Sequence, residues 1–187
     1  YNYDSKYYIG ASVRTDGLSS LPTDTRWGTF WGASAAWRLS REKFWTEAPV
    51  NEWFNDLRLR ASYATIGNSA LGSDYPYLGT YGAKLVGPMA GIAWNVMGNN
   101  NLKWETTETF DIGLDGALFN NRMTFEIAYW QKNSKDLVLR VPTPPTMGIP
   151  NNYYYDNIGK IKNSGFELTV GGTIINTKDW NWHSDIN

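Results

Sequence analysis

Charged side chains recur at strand-like spacing along the chain: Arg58 and Arg60, Asp111 and Asp115, then Glu126 and Glu167. Spaced carboxylates can divide general acid and general base work, as glycoside hydrolysis requires of a pair flanking one bond. Here they fall on separate segments, nothing in the sequence sets their separation, and no activating partner accompanies them. His183 is the sole histidine and cysteine is absent. A serine–histidine relay or a thiolate or histidine metal site would therefore need residues from elsewhere. No catalytic residue, metal or cofactor is assigned, and His183 reads as a polar strand residue.

A second kind of chemistry resides in aromatic rings near carboxylates. Asp74, Tyr75, Tyr77, Tyr81 and Trp94 share one stretch rich in Gly, Asn and Tyr, and Tyr153, Tyr154 and Tyr155 precede Asp156 in another. Flat rings can stack on sugar faces while carboxylates accept hydrogen bonds from hydroxyls, and the same set can hold a peptide. The alternative is that these rings pack their own long loops or meet a partner protein. The formal net charge of -1 and pI near 5.8 do not suggest a nucleic-acid partner.

The elements that position these residues show a period of two. Phe110, Ile112 and Leu114 alternate with Thr109, Asp111, Gly113 and Asp115. Phe125, Ile127 and Tyr129 alternate with Thr124, Glu126 and Ala128, and Phe166, Leu168 and Val170 with Glu167, Thr169 and Gly171. The same dyad runs through Tyr7–Val13, through Trp27–Leu39 and through Leu57–Tyr63. Seven strands are predicted: Tyr7–Thr15, Arg26–Leu39, Leu57–Ile66, Lys103–Leu118, Arg122–Val141, Ile158–Ile175 and Trp180–Asn187. A soluble sandwich also alternates, its outer faces being wet. The uninterrupted Arg122–Arg140 run is longer than the roughly 9–11 residues that cross a bilayer, which favours a transmembrane barrel. With 10 Trp, 12 Tyr and 7 Phe, Trp27, Trp31, Trp37, Tyr63, Trp104, Trp130 and Trp180 read as wall or interface residues.

Connections alternate between short (Phe119–Arg122, Asn176–Asp179) and long (Gly67–Leu102, Pro142–Asn157). In outer-membrane barrels short turns face the periplasm and long loops face outward. Asp16–Thr25 then belongs to the outer set. Ser40–Asp56, with Phe44, Trp45, Trp53 and Phe54, reads as a periplasmic turn resting at the lipid interface. An odd number of strands with a strand at each end leaves unpaired edges, so the chain is expected to be a piece of something longer.

Several runs carry a family resemblance. Tyr3-Asp4-Ser5-Lys6-Tyr7-Tyr8 with Ala11-Ser12-Val13-Arg14, Arg26-Trp27-Gly28-Thr29-Phe30-Trp31, and Trp53-Phe54-Asn55-Asp56-Leu57-Arg58 are three of them. Leu102-Lys103-Trp104-Glu105-Thr106-Thr107, Asn157-Ile158-Gly159-Lys160 and Asn163-Ser164-Gly165-Phe166-Glu167 continue the series in order. The chain resembles the C-terminal half of the barrel in the SusC/RagA family of TonB-dependent receptors. The resemblance implies an all-β, antiparallel transmembrane segment of a roughly 22-stranded barrel, with residues 1–187 inside one barrel domain and the plug and N-terminal domains elsewhere. It implies import of glycans or peptides across an outer membrane of Bacteroidetes-type bacteria, a SusD-like surface lipoprotein as partner, and coupling to TonB through other parts of the receptor. Phe110, Ile112, Leu114, Phe125, Ile127, Tyr129, Phe166, Leu168 and Val170 would then face lipid, and the charged set would line the lumen as a wall hydrogen-bonded to the plug. A siderophore or vitamin receptor is the nearest alternative, and a soluble carbohydrate-binding or glycosidase domain the more distant one.

Overall fold

The computed structural model describes residues 1–72 and 74–187, so one position of the predicted loop between Gly67 and Leu102 lies outside them. Its strands are β1 (Asn2–Tyr3), β2 (Tyr7–Gly17), β3 (Trp27–Arg38), β4 (Phe54–Asn68), β5 (Thr80–Val86), β6 (Met89–Val96), β7 (Glu105–Leu118), β8 (Met123–Pro142), β9 (Tyr153–Asn176) and β10 (Asn181–Ile186). Eight of them form one sheet in the order β1-β2-β3-β4-β7-β8-β9-β10, and β5 pairs only with β6. All the ladders of the large sheet are antiparallel.

The register turns the period of two into continuous rows. Tyr7, Trp37, Leu59, Leu114, Ile127 and Leu168 are successive cross-strand partners, as are Ile9, Ala35, Ala61, Ile112, Tyr129 and Phe166. Partners opposite each other share a face, so one side of the sheet is apolar across six strands. No second sheet covers it among the described residues: Phe166 is 82% exposed, and Ile112, Ile127 and Leu168 are exposed as well. Leu114, Phe125, Tyr129 and Val170 are half-buried by their neighbours within the sheet.

Turn chemistry explains the short connections. Phe119, Asn120 and Asn121 all take positive φ (54, 57 and 61°) between β7 and β8, a conformation that asparagine tolerates better than most residues. The segment between β3 and β4 is no bare hairpin: 3₁₀ turns at Leu39–Arg41 and Pro49–Glu52 flank one helical turn at Lys43–Thr46. Its rings dock on the sheet end through edge-to-face contacts of Trp45 with Phe54 and of Phe54 with Phe125 (centroids 6.1 and 6.2 Å apart). Glu42 accepts hydrogen bonds from the Tyr7 hydroxyl at 2.5 Å and from Trp37 Nε1 at 3.1 Å. Those bonds, the Tyr7 one foremost, hold its carboxyl below the ordinary glutamate range.

At the opposite end the β3–β4 ladder stops at Gly32 and Ala64. Beyond it the Trp31 N–H donates to Thr65 Oγ1 at 2.9 Å, and that hydroxyl donates back to the Trp31 carbonyl at 3.2 Å. Phe30 and Trp104 fill the gap that follows, edge to face with centroids 5.3 Å apart, and join Leu21, Leu71 and Leu102 in a small core. Trp104 is therefore no wall residue as the sequence implied. It is 9% exposed and donates from Nε1 to the Arg26 carbonyl at 2.9 Å.

Two other expectations are corrected. β9 begins at Tyr153, five residues before the predicted start, so the three tyrosines are strand and not loop. The long connection after β4 contains the β5–β6 hairpin, whose turn is set by Gly87 at φ 62° followed by Pro88. β8 runs as one strand from Met123 to Pro142, as expected of the Arg122–Val141 segment, and carries a bulge at Asp136 (φ 57°) where its register with β9 shifts.

Candidate functional site

Two regions carry polar or aromatic chemistry. The first is the face opposite the apolar one. The rows there run Arg38, Arg58, Asp115, Glu126, Thr169 and, one step along, Arg60, Gly113, Ala128, Glu167. Arg58 pairs with Asp115 directly across the ladder, Nη2 to Oδ2 2.6 Å. Arg60 reaches three carboxylates on two strands: Asp111 at 2.5 Å, Asp115 at 3.2 Å, and Glu126. Arg38 and Asp56 make a two-bond pair at 2.7 and 2.6 Å, to which Ser40 adds its hydroxyl. Each carboxylate that a hydrolase would need free is thus bonded to a guanidinium of the same sheet, except Glu167, which makes no ion pair among the described residues. The arrangement braces strands β4, β7 and β8 against one another.

The second region lies at the long-connection end. Tyr77, Tyr81 and Trp94 line a groove of about 570 Å³ together with Leu78, Met97, Asn100, Met147 and Ile149. Tyr81 stacks on Trp94 with centroids 4.1 Å apart, as their direct register across the hairpin dictates. Tyr77 also packs against the Trp104 core, as does Tyr155. Asp74 and Tyr75 are exposed and do not line the groove. Tyr154 joins the groove residue Met97 by an isolated parallel bridge. Tyr153 and Tyr155 gather instead around Arg140. Of the ring candidates, three share the groove and two share Arg140. Sequence reading passed over Met97, Met147, Ile149 and Arg140, because nothing local marks residues that meet only when β8, β9 and the hairpin come together. Neither region holds a cluster of metal-ligating side chains among the described residues.

The continuous antiparallel meander with one uncovered apolar face has its counterpart in known sequences. A family model described as "TonB dependent receptor-like, beta-barrel" matches residues 1–187. The chain belongs to this TonB-dependent receptor β-barrel family. It is 34% identical to TonB-dependent receptor P26 of Formosa agariphila, over the whole of this chain and 19% of that protein. It is 30% identical to TonB-dependent receptor SusC of Bacteroides thetaiotaomicron, again over the whole chain and 19% of the relative. Among solved structures, that of the RagAB peptide transporter superposes with a TM-score of 0.84 at 32% identity, over 98% of this chain and 20% of the other. The chain therefore spans about a fifth of the length of the relatives it matches. Proteins of the TonB-dependent receptor family are outer-membrane barrels and transporters, not enzymes. The SusC/RagA resemblance read from the sequence is borne out.

Proposed function

We propose that residues 1–187 are consecutive wall strands, within one barrel domain, of a TonB-dependent outer-membrane importer for glycans or peptides. The apolar rows would face lipid, the Arg60 network the lumen, and the long-connection end the outside of the cell. The observation that carries this reading is the apolar face itself, continuous across six strands and uncovered. From Tyr7 and Trp37 to Val13 and Trp31 it extends six residue steps, about 20 Å at roughly 3.4 Å each, close to the apolar band of about 25 Å in outer-membrane barrels. Ring pairs mark both limits, Tyr7 with Trp37 and Trp31 with Tyr63, as interfacial girdles do.

Similarity to SusC and to the RagAB transporter supports a SusD-like lipoprotein as partner and an oligomeric nutrient as substrate. Contact with TonB would be made by parts of the receptor outside these residues. Asp74, Tyr75, Tyr77, Tyr81, Trp94, Tyr153, Tyr154 and Tyr155 stand at the end from which substrate would enter.

The test uses the full-length receptor in liposomes, with single cysteines at Ile112, Ile127 and Phe166 in one set and at Asp111 and Glu126 in the other. Fluorophores on the first set should be quenched by brominated lipid and those on the second should not. Equal quenching in both sets would remove the membrane reading. Copurification of a surface lipoprotein tests the partner separately.

A further inference from the structure

Toward the long connections the apolar rows give way to lysine. Thr65, Glu108, Asn133 and Lys162 are successive cross-strand partners, two steps beyond Tyr63, Phe110, Gln131 and Ser164 and on the same face. Thr65 is the residue that exchanges hydrogen bonds with Trp31, so Lys162 stands level with one of the rings that mark the limit of the apolar band. It is four residue steps from Phe166, about 14 Å at roughly 3.4 Å each. Lys160 lies two steps further out, between the paired positions Ile161 and Gly159, whose partners Ser134 and Leu137 bracket Lys135 and Asp136 on β8.

The charges of this patch do not cancel. Glu108 takes Lys135, Oε1 to Nζ 2.6 Å. Lys160 and Lys162 are exposed and form no ion pair among the described residues. The rest of the same three strands is different: the whole of β7, residues 123–129 of β8 and residues 166–176 of β9 hold no lysine or arginine. Every cation of these strands, Lys132 the innermost, lies beyond the Tyr129–Phe166 pair toward the long connections. A lysine at a membrane edge can simply extend its amine into water, but that need is the same at both edges. Unpaired lysines confined to one edge point instead to anionic groups on that side.

We propose that Lys160 and Lys162 hold a phosphate of a lipid in the leaflet at the long-connection end, with its acyl chains along Phe166 and Leu168. Lys162 would meet the headgroup at the depth of the Trp31 and Tyr63 rings, and Lys160 from just above. Side chains two residues apart on one strand face stand about 7 Å apart, so two flexible amines can close on one phosphate from either side. Ser164, exposed between Lys162 and Phe166, adds a hydroxyl to the same headgroup site. The proposal rests on the membrane reading of the apolar rows and adds a lipid ligand to it.

The experiment takes the full-length receptor, purified in detergent with any lipoprotein that accompanies it. Diphosphoryl lipid A, the same lipid stripped of its phosphates, and inorganic phosphate are added separately, and bound molecules are counted by native mass spectrometry. Diphosphoryl lipid A should bind about tenfold or more tightly than the stripped lipid, as two lysines beside an anionic headgroup imply. Lys160→Gln with Lys162→Gln should erase that preference, and Lys160→Arg with Lys162→Arg should keep it. Lys132→Gln, on the opposite face of β8, should leave it at the parent value. A double glutamine variant that keeps the preference would overturn the proposal. So would a parent receptor that shows none, or inorganic phosphate that binds through these lysines while lipid A does not. Unchanged heat-modifiable gel mobility verifies that each variant is folded. Lipid quenching at Ile112 and Phe166 is independent of all these outcomes, so failure here and failure of the membrane reading are distinguishable.

Discussion

Gly113 lies directly opposite Arg60 in the β4–β7 ladder, and a Cβ on Gly113 would stand 2.8 Å from Arg60 Cζ. The guanidinium thus crosses over a residue that has no side chain, and from there it reaches Asp111, Asp115 and Glu126. Any side chain at 113 must push it away.

Gly113→Val is accordingly expected to destabilise the barrel by about 1–3 kcal/mol, the usual cost of overpacking, with the loss of the Arg60 pairs included. Urea unfolding of the full-length receptor in liposomes measures this. In an Arg60→Ala background the steric part of the cost disappears, so the two substitutions should be less than additive. Full additivity would mean that Gly113 and Arg60 are energetically independent.

Trp104 and Trp27 should respond differently to truncation. Trp104 is 9% exposed in the core at the long-connection end, whereas Trp27 is 68% exposed. Trp104→Ala should cost about 3–5 kcal/mol, felt chiefly in the segments that the ring holds. Protease cleavage between residues 69 and 101 should quicken markedly, while Trp27→Ala leaves that rate near the parent value. Similar rates in both variants would contradict the core described above.

Glu42 makes the segment between β3 and β4 sensitive to acid. Its carboxyl is held below the usual value of 4.5, chiefly by the Tyr7 hydroxyl and also by Trp37 Nε1. A depressed folded value means that the stabilisation is fully present above 4.5 and is lost as pH falls through the lower folded value. A spin label at Val50 should gain mobility in that window and not at higher pH. Glu42→Gln should flatten the response, and a label equally sensitive in that variant would assign the effect to another group.

Much of the wall was legible from residue order alone. The alternation of Phe110, Ile112 and Leu114 with Asp111, Gly113 and Asp115 survives intact in β7, and the tight turn at Phe119–Asn121 falls where its asparagines placed it. The β5–β6 hairpin was less legible because glycine and alanine dilute its alternation, although Tyr81, Ala83 and Leu85 face Trp94, Ile92 and Ala90 once the strands pair. Trp104 misled for a different reason. It precedes β7, outside any ladder, so strand parity says nothing about where its ring goes.

The residue types and their spacing determined which segments are strands and which side chains share a face, because successive side chains of an extended chain point to opposite sides whatever surrounds them. They also determined the turns, through residues that tolerate positive φ. Only the tertiary structure decided which carboxylates Arg60 reaches, where the β3–β4 ladder ends and Phe30 and Trp104 take over, and that Arg140 rests on Tyr153 and Tyr155. Each of these depends on the register between strands or on how far a ladder continues. Arg26 and Trp104 are bonded across 78 positions of chain, a distance over which local preference has no say.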